Sequence, residues 1–179
     1  SAGDTILFHA AAGGVGLVAC QWASHLGATV IGTVGSDEKA DLARAHGCTH
    51  PIVYSREDFV EQVKELTDGK GVDVVYDAVG KDTFEKGFDC LRPLGTMVLF
   101  GAASGKPDPL DPALLQAKRS LFLTRPSLFD YIADRETLAQ SAVDLFEVIE
   151  SGAVTAEVNQ EHALAEASQA HRELEGRRT

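Results

Sequence analysis

Positive charge is what this sequence most lacks: 16 Lys and Arg stand against 27 Asp and Glu, a formal net charge of −11 over 179 residues. Nucleic acid and anionic membrane both demand a basic surface, so neither is expected as the main partner. An anionic ligand must instead be held locally, by backbone N–H groups, helix N-termini and a few placed cations. Long hydrophobic runs are missing too. No stretch approaches the length of a membrane-spanning helix, and no leader pattern is visible. Cysteine is scarce: Cys20, Cys48 and Cys90 are far apart, odd in number and without C-x-x-C spacing. That argues against a disulfide framework and against a zinc site, and the expected compartment is the reducing cytoplasm. The six histidines show no H-E-x-x-H or other metal spacing, so no metal ligand is assigned. No G-x-S-x-G elbow appears, which disfavours an α/β hydrolase. The chain opens on "SAGDT" without Met and is expected to be a processed or truncated piece of something longer.

What is present is rhythm. Short apolar runs alternate with helix-like segments, and the runs lack strict polar alternation, as strands of a parallel sheet covered on both faces require. Strands are expected at Thr5–Ala10, Thr29–Val34, Ile52–Tyr54, in "VDVVYDAVG" and at Thr96–Gly101. The helix after Gly14 carries an apolar stripe, Val15, Val18, Ala19, Trp22 and Leu26, and Gly27 is its stop. Ser36 caps a second helix that ends at Gly47, with Asp37 and Glu38 in its first turn. Ser55 is expected to start a third helix, buried along Phe59, Val63 and Leu66, and a fourth should run near Thr83–Leu91. After Gly101 a Pro-rich loop, a short helix and the strand "SLFLTR" follow. A long helix faced by Leu138, Ala142, Leu145, Phe146 and Ile149 then ends at Gly152, and a last helix lies near Leu164–Glu175. The fold class is α/β: a doubly wound, mostly parallel Rossmann sheet.

The segment Ala11-Ala12-Gly13-Gly14-Val15-Gly16 reads A-x-G-x-x-G between the first strand and its helix. Gly13 lets a pyrophosphate approach the backbone, and Gly16 lets the helix pack closely on the sheet. Within a β-α-β unit this points to a dinucleotide; another α/β ligand, such as a methyl donor, is the alternative. Neither Tyr54, Tyr76 nor Tyr131 is followed by Lys four residues on, so a Y-x-x-x-K catalytic pair is absent. The second strand ends in Val34-Gly35-Ser36, where NAD-preferring proteins place a carboxylate to bind both ribose hydroxyls. Gly35 and Ser36 would admit a 2′-phosphate, and Lys39 one turn later would neutralise it.

The ordered motifs "HAAAGGVGLVACQWA", "GTVGSDEKA", "VVYDAVG", "FGAASG" and "LTRPSL" resemble those of zinc-free quinone oxidoreductases. These are the zeta-crystallin type within the medium-chain dehydrogenase/reductase superfamily, and the similarity covers nearly the whole chain. The resemblance implies an NADPH-binding domain of an enzyme passing hydride to a quinone or other electron-poor small molecule. Reduction of an activated C=C bond, or NADPH binding without catalysis, are the alternatives. Residues 1–152 would form the cofactor domain. Residues 153–179 would return towards a GroES-like domain that supplies much of the substrate pocket. The implied cofactor positions are Gly13, Gly14, Val15, Gly16, Gly35, Ser36, Lys39 and Tyr54, then Val79 and the run Gly101, Ala102, Ala103 and Ser104. Pro126, Ser127 and Leu128 would flank the nicotinamide, and Arg177 would lie near the phosphate end. Alone, Lys39 reads as a solvated lysine, Tyr54 as a strand-end aromatic and Arg177 as an exposed arginine; their place in the family's order gives them the cofactor. No catalytic residue is assigned; Asp77 reads as a support of the crevice. The family also pairs two subunits through the strand corresponding to Ser120–Arg125, so a homodimer is expected.

Overall fold

The computed structural model describes residues 1–158 and 160–176. In chain order the elements are β1 (Thr5–His9), α1 (Gly14–His25), β2 (Thr29–Val34), α2 (Asp37–Ala45), β3 (His50–Val53), α3 (Phe59–Leu66) and β4 (Val72–Asp77). There follow α4 (Phe84–Gly87), β5 (Leu91–Leu99), α5 (Ala113–Ala117), β6 (Phe122–Thr124), α6 (Leu128–Tyr131), α7 (Arg135–Glu150) and α8 (Ala167–Glu175). The strands form one sheet in the order β3-β2-β1-β4-β5-β6, and every pairing is parallel. The order reverses direction between β1 and β4, and such a switch point opens a crevice beyond the C-terminal strand ends.

Successive strand residues point to opposite faces, and each face has its own core. Ile6, Val30 and Val53 pack with Cys20 of α1 and Ala40 and Ala43 of α2. Their neighbours Leu7, Ile31 and Ile52 pack with Phe59 and Val63 of α3 and with Phe88 and Met97. Pro51 stands in β3, which is an edge strand and tolerates a missing N–H. All three cysteines are buried and free.

Several elements differ from their sequence expectation, each for a local reason. The buried residues of α1 are Gly16 and Cys20, while Val15 and Leu26 of the expected stripe are exposed. A Cβ at Gly16 would lie 2.4 Å from the Ala10 carbonyl oxygen and 2.6 Å from that of Ala11, so the helix presses on the strand through its smallest residues. Helix α3 begins after Asp58, not Ser55: the Asp58 carboxylate accepts from the Val60 N–H at 2.8 Å. On the face of α3, Phe59, Val60 and Val63 are buried and Leu66 is exposed. The helix expected at Thr83–Leu91 is cut to the single turn α4 and a 3₁₀ turn at Phe88–Cys90, because β5 already starts at Leu91. β3 runs earlier than expected and leaves Tyr54 beyond its end; β6 is shorter than Ser120–Arg125.

Two buried polar groups tie the strand ends together. The Asp77 carboxylate closes β4 by accepting from the N–H groups of Val79 and Gly80 at 2.7 and 2.9 Å and from the Thr83 hydroxyl. His9, fully buried at the end of β1, shares a 2.9 Å hydrogen bond between its Nδ1 and the Thr33 hydroxyl of β2. Burial lowers the His9 pKa to about 4, the nearby Asp77 charge opposing it in part. His9 is therefore neutral in the native state, while in the unfolded chain it takes a proton near pH 6.5. Below that pH the unfolded state binds more protons, so stability falls as pH falls towards 4. Between pH 6.5 and 4.5 the parent should lose about 2 kcal/mol through this residue. Urea unfolding at the two pH values should show that loss removed in His9→Gln; parallel profiles for the two proteins would refute it.

Candidate functional site

The expected site residues sit at the C-terminal ends of successive strands. Beyond β1 the chain turns sharply: Ala10 adopts a φ of 59°, the Gly13 N–H donates to the Ala10 carbonyl at 2.9 Å, and the Ala11 N–H reaches the Thr33 carbonyl of β2 at 3.1 Å. Gly13 then caps α1 from extended backbone, without a side-chain bond. Gly13, Gly14 and Val15 are exposed, whereas Gly16 is buried against the turn. A Cβ on Gly14 would meet nothing within 4 Å. The backbone at the start of α1 is therefore bare on its outer side. Exposed N–H groups at the start of a twelve-residue helix suit an anion.

Beyond β2, Gly35 lies beneath Tyr54: a Cβ on it would stand 3.0 Å from the tyrosine hydroxyl. The structure thus brings together two residues that the sequence holds nineteen apart. Ser36 caps α2, its hydroxyl accepting from the Lys39 N–H at 3.3 Å. The Ser36 hydroxyl and then the backbone hold the Glu38 carboxyl below its usual range. Lys39 is exposed on the first turn, on the same rim.

The loops after β4 and β5 lock to each other. The Ser104 N–H and hydroxyl both donate to the Val79 carbonyl, at 2.8 and 2.9 Å, and the Ala103 N–H donates to the Ala78 carbonyl at 3.1 Å. Gly101 lies so close to Ala78 that a Cβ would fall 2.5 Å from its carbonyl oxygen. Val79 and Gly101, Ala102 and Ser104 are half-buried, forming a firm wall beside the switch point. Pro126, Ser127 and Leu128 follow β6 at the other edge of the sheet from Tyr54, with Leu128 exposed. Arg177 lies outside the described residues. A groove of about 680 Å³ runs from Gly14 past Leu17, Val18, Leu42 and His46 to Leu174 of α8, and meets the strand-end rim only at the glycine turn.

Two residues of this rim escaped sequence reading. Arg56, just past Tyr54, forms two parallel 2.7 Å hydrogen bonds to Asp37 at the start of α2. The guanidinium holds the Asp37 carboxyl below its usual range. The other is Thr33, whose hydroxyl meets His9 and, at 3.4 Å, the Ala10 N–H, and so fixes the shape of the turn. Neither pairing has a local signal, since the partners lie far apart in sequence.

The family described as zinc-binding dehydrogenase matches residues 14–147. Among the described residues no three His, Cys, Asp or Glu side chains are grouped as a metal site requires. A quinone oxidoreductase of Pseudomonas aeruginosa is 55% identical over 177 residues, covering 99% of this chain and 54% of that protein. A 2-haloacrylate reductase of a Burkholderia species is 49% identical over 178 residues, 99% of this chain and 54% of that protein. The crystal structure of Escherichia coli quinone oxidoreductase complexed with NADPH superposes with a TM-score of 0.95 at 49% identity, over 100% of this chain and 56% of that one. The chain spans about half the length of the curated relatives it matches. Fold, ordered motifs and matches agree: this chain belongs to the zinc-binding dehydrogenase family, among the quinone oxidoreductase homologues of the medium-chain dehydrogenase/reductase superfamily.

Proposed function

We propose that this chain is the NADPH-binding domain of an oxidoreductase that reduces quinones. The observation that carries the reading is the β2 rim: Gly35 and Ser36 in place of a strand-end carboxylate, with Lys39 and Tyr54 beside them. The E. coli relative's complex with NADPH supports the same cofactor. The turn from Gly13 to Gly16 would present its N–H groups to the pyrophosphate, and Lys39 and Tyr54 would hold the 2′-phosphate. Val79 and Gly101 to Ser104 would line the crevice, Pro126 to Leu128 would border the nicotinamide, and Arg177 would add a cation at the phosphate end. When bound, the cofactor supplies a hydride. The chain's own contribution is to orient it and keep water from one face, so no residue here is given a role in bond making.

On this reading residues 1–152 are the cofactor unit and 153–179 lead towards a second domain. Val158, Leu164 and Leu174 are exposed, as a segment awaiting a partner surface would be. Among the described residues no helix is long and apolar enough to cross a membrane. With three free thiols, the cytoplasm is the proposed compartment. We also place a homodimer contact at Ser120–Arg125. β6 is the sheet edge and Phe122 is 58% exposed, although Leu121 turns into the core.

Lys39→Ala should weaken NADPH binding by roughly ten- to a hundredfold and leave NADH within about twofold, as expected for one charge-assisted contact. Equal losses in calorimetric titrations with both cofactors would remove Lys39 from the phosphate. For the acceptor, NADPH oxidation by the full-length protein should run faster with 1,4-benzoquinone than with 2-chloroacrylate. The reverse order would favour C=C reduction, the reading supported by the haloacrylate reductase relative. Light scattering should find the full-length protein dimeric and its Phe122→Pro variant, if folded, shifted to monomer; an equally dimeric folded variant would place the interface elsewhere.

A further inference from the structure

One charge on the β2 rim contradicts an anionic ligand. Asp37 follows Ser36 directly, in the first turn of α2. A carboxylate at the end of the second strand accepts ribose hydroxyls and repels a 2′-phosphate, and Asp37 brings a carboxylate to within one residue of that place. Its position has a cause in the helix itself, since an acidic residue in the first turn offsets the positive end of the dipole. The rim therefore contains two opposed demands: α2 favours Asp37, and a phosphate does not.

Arg56 meets that conflict. It leaves the chain beyond β3, next to Tyr54, and reaches across the rim so that Nη1 bonds Asp37 Oδ2 and Nη2 bonds Oδ1, each at 2.7 Å. This fork is the strongest geometry an arginine and a carboxylate can adopt. The other charges nearby are already engaged or of the right sign. The Ser36 hydroxyl holds the Glu38 carboxyl below its usual range, and the Glu57 carboxylate, 3.9 Å from Arg56 Nε, accepts from the Val53 N–H at 2.8 Å. Lys39 is a cation.

Stability does not account for the pair. The Arg56 and Asp37 side chains are 56% and 69% exposed, and ion pairs so exposed add little to folding. β2 and β3 are joined without it, by their parallel ladder and by the Tyr54 N–H on the Val34 carbonyl at 3.1 Å. We infer that the Asp37–Arg56 pair is a cofactor-specificity element: the guanidinium cancels the one carboxylate on the rim that would otherwise exclude a 2′-phosphate. Arg56 acts through Asp37 and is a positioning residue. The inference rests on the NADPH reading above.

The test is a double-variant cycle on the full-length protein, with NADPH and NADH dissociation constants measured by calorimetry and thermal unfolding as a check on the fold. Arg56→Ala should weaken NADPH about tenfold and leave NADH within about twofold, with an unchanged melting temperature. Adding Asp37→Asn to it should return NADPH to within about threefold of the parent, because the uncompensated charge has been removed. If Arg56→Ala binds NADPH like the parent, the pair is a bystander and the inference fails. If the double variant stays as weak as Arg56→Ala, the arginine acts on the phosphate itself, and the inference fails in that way instead. Failure of the cofactor reading is seen separately and first: the unsubstituted chain would show no preference for NADPH over NADH.

Discussion

The contact on which the rest depends is the crossing of α1 over the turn that ends β1. Gly16 brings helix backbone so near the Ala10 and Ala11 carbonyls that no side chain fits between. That closeness fixes the axis of α1, and the helix N-terminus then faces outward over the switch point, with Gly13, Gly14 and Val15 exposed. The left-handed Ala10 and the bonds of His9 and Ala11 to Thr33 hold the turn from beneath. On the other side of the switch point Asp77 and the Gly101–Ala78 approach do the same for β4 and β5. The switch point is thus bordered largely by backbone, and backbone supplies fixed dipoles that on the proposed reading would need no reorganisation to meet an anion.

This construction explains how so acidic a chain can hold an anion. A net charge of −11 acts at long range and is screened within about 8 Å at physiological salt. On the proposed reading, binding at the rim is decided by groups in contact, and carboxylates there have partners: Asp77 has N–H groups and a hydroxyl, and Asp37 has Arg56. Lys39 adds a positive charge on the same rim. Local neutrality is built residue by residue on a surface whose sum is strongly negative.

Much of this was legible in the sequence, and the limits have physical causes. The strand at Thr29–Val34, the Ser36 cap and the stops at Gly27, Gly47 and Gly152 follow from local chemistry, and all appear where that chemistry places them. The α1 stripe failed because periodicity counts apolar side chains, whereas this helix buries the small face that lets backbone approach backbone. Ser55 and Asp58 are both good caps; the choice fell to Asp58 because the Glu57 carboxylate turns back to the Val53 N–H and keeps the chain from starting the helix earlier. The helix at Thr83–Leu91 gave way to β5, whose start is pinned when the Arg92 guanidinium meets Asp73 at 2.5 Å. The pairs His9–Thr33 and Asp37–Arg56 had no signal, since a contact between distant residues leaves no period to read.

On the proposed reading, donor and acceptor are chosen at different places. Leu128, Phe129 and Tyr131 of α6 are exposed, as is Phe122 of the edge strand β6. The groups that would choose a cofactor all lie on the β2 and β3 rim, at the far side of the sheet from that surface. Two relatives named for different acceptors, a quinone and a haloacrylate, share this half at 55% and 49% identity. On the proposed reading, the donor is selected by charge placement at one end of this sheet, and the acceptor by whatever packs against the exposed apolar end.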